Sequence, residues 1–199
     1  MRDTQLVDRG NGESFETIDG VRLCVRPITP EDKLALVGAF EHLSQQSVYK
    51  RFLAPVKRLT ESELAYLTEL DHEAHEALVA VTEADEIVGV ARYVCELEDP
   101  GRAEVAVTVA DEWQGRGVGT ALLQMLARLA RENGVEHFTG VCLAENRKML
   151  QLFDELGPTT RRRSDGDVIE LEVTLPTRAT QAIRPALRAA AKARKSSAD

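Results

Sequence analysis

The chain has 199 residues, 43% hydrophobic and 29% charged, with 25 Lys/Arg against 33 Asp/Glu for a net charge of −8. That length fits one domain able to bury a core without staples, and the composition excludes disordered, collagen-like and disulfide-framework chains. No stretch approaches the ~18 consecutive apolar residues of a membrane span, and the polar start MRDTQLVDRGNGESFETIDG has no apolar signal core, so a cytoplasmic protein without a membrane span is expected.

Residues 1–20 lack periodicity and read as a flexible arm. Alternation in V-R-L-C-V-R-P predicts a first strand from Val21 to Pro27. Thr29, Pro30 and the acids Glu31 and Asp32 then open a helix with Leu34, Val37 and Phe40 at helical spacing. Ser47–Leu53 is a short helical or turn segment. Thr60 and Glu63 form a capping box before Leu64, Leu67 and Leu70. Strands follow at 77–82, 87–97 and 103–109, with turns at 84–86 and 99–101.

The strongest helix begins near Gly117, with Val118, Leu122, Met125, Leu126 and Leu129 on one face and a stop at Asn133-Gly134. A strand at 137–143, a helix carrying Met149, Leu150, Phe153 and Leu156, and a hairpin over 159–175 complete the order β-α-α-β-β-β-α-β-α-β-β. This is an α/β protein, a mixed sheet flanked by helices, without internal repeats. The main domain is expected over 21–176. From Thr177 onward lie six Lys/Arg and one acid, a basic Ala/Arg-rich tail over 177–199 of charge +5 on a body of −13. Such a body repels nucleic acid and favours amine-bearing partners, whatever the tail does.

Cys24, Cys95 and Cys142 sit in apolar runs and read as buried free thiols. No C-x-x-C spacing exists. His72 and His75 lie among acids without a third ligand at fixed spacing, so no metal is expected. Arg161-Arg162-Arg163 either touches phosphate or alternates faces on an exposed hairpin.

Chemistry concentrates in V-A-V-T-V-A-D-E-W-Q-G-R-G-V-G-T, residues 105–120. A strand enters a turn with Gly115, Gly117 and Gly119, and the turn opens the long helix. Glycines let main-chain amides approach a ligand, and the free amides and dipole of a helix start suit an anion. A Walker loop is excluded because no Gly-Lys-Ser/Thr follows. G-x-G-x-G is not G-x-G-x-x-G, and no acid ends a following strand, so the dinucleotide reading fails too.

Gln114-x-x-Gly117-x-Gly119 after a Val-x-Val strand, with Asp111, Trp113 and Asn146, resembles the acyl-CoA loop of the GCN5-related N-acetyltransferases (GNAT). The resemblance covers about 21–175 in the family's order of elements, and implies the GNAT fold with acetyl-CoA as cosubstrate. It implies a pyrophosphate held by the amides of Gly115, Arg116, Gly117, Val118, Gly119 and Thr120, and pantetheine paired with the main chain of Val107 and Val109. It also implies that Asn146 contacts the cofactor's far arm. A base must deprotonate the acceptor amine, whose pKa is ~10.4 for lysine. Glu104, just upstream on the strand, is the candidate, with the Val107 amide as oxyanion donor. Phe153 stands where many relatives have a tyrosine, so no general acid is named.

Ser47-Val48-Tyr49-Lys50-Arg51-Phe52 and Asn146-Arg147-Lys148-Met149-Leu150 resemble segments of bacterial protein lysine acetyltransferases of the Pat type, which act on acyl-CoA synthetases. Three readings stand: a protein lysine acetyltransferase, an acetyltransferase for a small amine or polyamine, and a non-catalytic acyl-CoA-binding module.

Overall fold

The computed structural model describes residues 12–163 and 166–176. Eight strands form one sheet in the order β1-β2-β3-β4-β5-β6-β8-β7. They are β1 (Glu13–Glu16), β2 (Arg22–Pro27), β3 (His75–Val81), β4 (Ile87–Cys95), β5 (Arg102–Val109), β6 (His137–Leu143), β7 (Thr159–Arg163) and β8 (Val168–Thr174). Every neighbouring pair is antiparallel except β5 and β6. The helices are α1 (Lys33–Glu41), α2 (Gln45–Phe52), α3 (Glu61–Thr68), α4 (Val118–Glu132) and α5 (Arg147–Leu156).

The apolar stripe of α4 predicts its packing. Val118, Leu122, Leu123, Leu126, Ala127 and Ala130 are buried against Leu78, Val88, Ala91 and Val105, while Met125 and Leu129 are half-buried at the edge. A second, smaller core on the other face joins Ile28, Leu36, Ala77 and Val79 to the inner sides of α1 and α3. Alternation along the central strands therefore serves two cores.

Two expectations are corrected. The arm assigned to residues 1–20 does not hold for 13–16, because Glu13–Glu16 pairs with β2. Thr17 is buried and the Ile18 N–H donates to the Arg116 carbonyl at 3.1 Å, so this segment is tied to the glycine loop. Helix α1 turns a different face inward. Leu34 is 86% exposed and Leu36 is buried, because Pro30–Asp32 forms a 3-10 turn that shifts the helical phase. Residues 1–11 and the basic tail at 177–199 lie outside the described residues, as do Ser164 and Asp165 of the expected hairpin turn. Among the described residues no helix is long and apolar enough to cross a membrane.

Candidate active site

The parallel pairing of β5 with β6 stops after Arg102–His137, Ala103–Phe138 and Glu104–Thr139. Beyond that point β5 continues beside β4 to Val109, whereas β6 follows β8 to Leu143. The two strands part into a V with Glu104 at its vertex. Gly140 is the next residue on β6, and the fully buried Phe153 ring lies against it. A Cβ on Gly140 would come within 2.7 Å of the ring. Phe153 therefore belongs to the core and offers the cleft no proton.

The Ala110 N–H donates to the Val88 carbonyl, which sets the phase of β5. Even-numbered residues direct their main-chain groups to β4, and Val105, Val107 and Val109 direct theirs into the V. The Val109 carbonyl already accepts from Gln114 Nε2 at 3.1 Å. The Val107 N–H and C=O face the open edge.

The V widens into a cleft of about 850 Å³ lined by β5, α2, the glycine loop and the start of α5. Gly115 (φ +78°) and Gly117 (φ +88°) are left-handed, a conformation that side chains disfavour. The first helical bond of α4 is from the Ala121 N–H to the Gly117 carbonyl, so the amides of residues 118–120 precede the ladder. A Cβ on Gly115 would meet nothing within 4 Å, and one on Gly119 would make only ordinary contact with Leu152 and Val109. The protein's own packing does not demand glycine at 119, and its bare amide suits close approach of an anion. The loop thus fits a pyrophosphate held by main-chain amides at a helix start.

Val107, Val109, Gln114, Gly115, Gly117, Gly119, Thr120 and Asn146 line this cleft, as does Glu104. Arg116 and Val118 are not among the residues that line it. The Arg116 side chain stacks on Trp113 at 4.7 Å and pairs with Asp19 at 3.4 Å, and the Val118 side chain is in the core. The Thr120 hydroxyl donates to Glu155 at 3.0 Å, and the Asn146 amide oxygen caps α5 by accepting from the Met149 N–H.

Asp111 organises the cleft's upper wall. It accepts from the Ser44 N–H at 2.7 Å, from the Ser44 and Ser47 hydroxyls, and from Gln114 Nε2. Burial alone would raise its pKa. The donors from Ser44 and Ser47, with the charge of Lys148, hold it below the usual carboxylate range instead. This network locks α2 against the loop that follows β5.

Sequence reasoning missed three contributors. Lys148 lines the cleft and donates to Gln114 Oε1 at 2.8 Å. Its sequence signal was its place in the segment Asn146-Arg147-Lys148-Met149-Leu150, which assigned it no role. Ile18 reaches the loop from the segment read as an arm. Arg51, at the end of α2, lines the wall shared with Phe52, Ala106 and Thr108. Burial lowers the Arg51 pKa, while the charges of Glu104 and Tyr66 partly restore it.

His72 lies in the loop before β3, and His75 opens that strand. His72 Nδ1 lies 2.9 Å from Glu76, and His75 Nε2 lies 3.2 Å from Arg92. Among the described residues no group of three His, Cys, Asp or Glu side chains is placed to hold a metal. Arg161 bonds Asp154 and Arg162 pairs with Glu170, both away from the cleft.

Residues 22–159 match the family model described as an acetyltransferase (GNAT) domain. Acetyltransferase Pat of Mycolicibacterium smegmatis is 34% identical over 164 residues, covering 82% of this chain and 49% of that protein. This chain therefore spans about half the length of that relative. Acetyltransferase PA5475 of Pseudomonas aeruginosa is 33% identical over 150 residues, covering 74% of this chain and 80% of that one. The crystal structure of the GNAT domain of S. lividans PAT superimposes with a TM-score of 0.77 at 35% identity, covering 82% of this chain and 97% of that one. With a split β5–β6 sheet, a glycine loop at a helix start and these relatives, the chain belongs to the GNAT family of acetyltransferases, with acetyl-CoA as the acyl donor.

Proposed function

We propose that this protein moves the acetyl group of acetyl-CoA onto a primary amine, the side chain of a lysine in a protein acceptor, with Glu104 as general base. The observation that carries this reading is the position of Glu104 at the vertex of the V, upstream of the free main-chain edge at Val107. The motifs around Ser47–Phe52 and Asn146–Leu150 support a protein acceptor, as does the acidic body, which attracts a cationic partner.

The steps follow from the chemistry. A lysine ammonium, pKa ~10.4, gives a proton to Glu104 and becomes nucleophilic. Its nitrogen attacks the thioester carbonyl, whose oxygen gains charge and is met by the Val107 N–H. The C–N bond forms, the nitrogen sheds its second proton to solvent water, the C–S bond breaks, and coenzyme A leaves as a thiolate. A thiol pKa near 8.5 makes that leaving group tolerable without a proton donor, in keeping with phenylalanine at position 153. Asn146 and the amides of Gly115–Thr120 hold the donor's polar parts.

The test uses labelled acetyl-CoA, a cell lysate and the purified protein, with Glu104→Gln alongside. Label should enter one or a few protein bands, and the variant should lower transfer more than tenfold while binding acetyl-CoA as tightly as the parent. Label confined to small molecules would replace the lysine acceptor with a metabolite amine. Binding without any transfer would make the protein an acyl-CoA-binding module.

A further inference from the structure

Arg92 projects from the middle of β4, beside Ala106 of β5, on the same sheet face as Glu104. It is only 6% exposed. Its guanidinium donates to the Leu67 carbonyl at 3.1 Å and to His75 Nε2 at 3.2 Å, both neutral acceptors. Arg51 approaches the same space from the end of α2, with its guanidinium 5.0 Å from the Phe52 ring centroid. Among the described residues neither arginine has a carboxylate within salt-bridge distance, although the charge of Glu104 reaches Arg51 and that of Arg51 reaches Arg92. Burial and the nearby Arg51 charge press the Arg92 pKa down to about 10.

Both guanidiniums line a cavity of about 60 Å³ between α1, α2, the end of α3 and the β4–β5 face. Its remaining walls are mostly apolar, with Leu36, Phe40 and Leu59 among them and Thr108 as the exception. At roughly 10–15 Å³ per water it has space for a group of a few heavy atoms. Arg51, Phe52, Ala106 and Thr108 also line the main cleft, so the cavity opens beside the approach to Glu104. Arg92 is buried with no carboxylate partner, which is costly, while the half-buried Arg51 feels only the more distant charge of Glu104, and a planar carboxylate is the natural complement of a guanidinium fork.

We infer that Arg51 and Arg92 form a carboxylate pocket on the acceptor side, so that the preferred acceptor amine carries a carboxylate close to it. On a protein this is a lysine flanked by Asp or Glu. The inference rests on the reading of Glu104 as the base, because that reading makes this side of β5 the acceptor side. The pocket's contribution is local. The body as a whole remains acidic, and the two arginines select among amines after encounter.

The experiment compares kcat/KM within two matched pairs: a lysine peptide with flanking Glu against the same peptide with Gln, and 6-aminohexanoate against its amide. The parent should prefer the acidic member of at least one pair by about tenfold or more. In Arg51→Gln that ratio should fall towards one, and in Arg51→Lys it should be intermediate. Thermal melts with millimolar propionate give a readout independent of turnover, with Tm raised in the parent and unmoved in Arg51→Gln. Equal use of both members by the parent, or the same propionate shift in Arg51→Gln, overturns the pocket while leaving the acetyltransferase reading intact. Inert peptides with a carboxylate preference among the small amines would keep the pocket and remove the protein-lysine acceptor. If no amine is acetylated, the propionate melts alone decide, and an unmoved parent Tm overturns the pocket.

Discussion

Arg26 and Arg92 are both buried, both on strands of one sheet and both on the face covered by α1 and α3, but they are served differently. Arg26 meets Asp32 fork to fork at 2.7 and 2.8 Å, with Asp85 at 3.3 Å on its other side. Asp32 also accepts from the Thr29 N–H, and the hydrogen bond to it raises the Arg26 pKa. Arg92 has a carbonyl and a neutral imidazole instead. One cation is closed into the structure and the other is left with its charge uncompensated beside a cavity. A buried charge with a full set of partners speaks of folding, and one without an opposing charge speaks of a visitor.

Substitutions should separate the two. The largest effect is expected from Asp32→Asn, which leaves the buried Arg26 charge with only the half-exposed Asp85 opposite it. Urea denaturation should show a loss of about 3–5 kcal/mol. A loss below about 1 kcal/mol would mean the fork-to-fork pair contributes little. Arg92→Met should cost about 1 kcal/mol or less, because it removes two ordinary hydrogen bonds together with an uncompensated charge. A loss as large as that of Asp32→Asn would make Arg92 a structural residue and erase the contrast.

A further effect lies in pH. Burial and then the Arg92 charge lower the His75 pKa to about 4, below its ordinary value of 6.5. The unfolded chain therefore binds more protons at this site between those values. Its contribution to stability falls as pH drops from about 6.5 to about 4 and changes no further below that. Denaturation midpoints across this range should be flatter in His75→Gln. In Arg92→Met the decline should still begin near 6.5 but end above 4 and so span less, because the arginine's charge no longer opposes the proton.

Much of this molecule could be read before the structure. The long amphipathic α4, the Gly115–Gly119 loop and the alternating runs of β3 to β6 carry their periods openly, and so did the residues around them. Short elements were harder. Glu13–Glu16 contains one apolar residue, Phe15, and becomes a strand only because β2 lies beside it. The face of α1 was misread because a 3-10 turn consumed its first residues. The V at Glu104 depends on three residue pairs separated by 35 positions along the chain, which no local pattern encodes. Arg92, in V-G-V-A-R-Y-V-C, looks like a solvent-facing residue of an alternating strand. Only the placement of α3 over that face turns it into a buried cation.

The parting of β5 from β6 has a further consequence for how long the protein lasts. A strand edge inside a sheet is a template for any extended chain, and Val141 on the facing strand is 42% exposed. An acyl donor laid along Val107 and Val109 would complete that edge. By mass action each tenfold rise in donor above its dissociation constant would add about 1.4 kcal/mol to the folded state. The cell's acetyl-CoA level would then set the supply of working catalyst as well as its rate, and a starved cell would hold a protein more prone to pair its open strand with that of another copy.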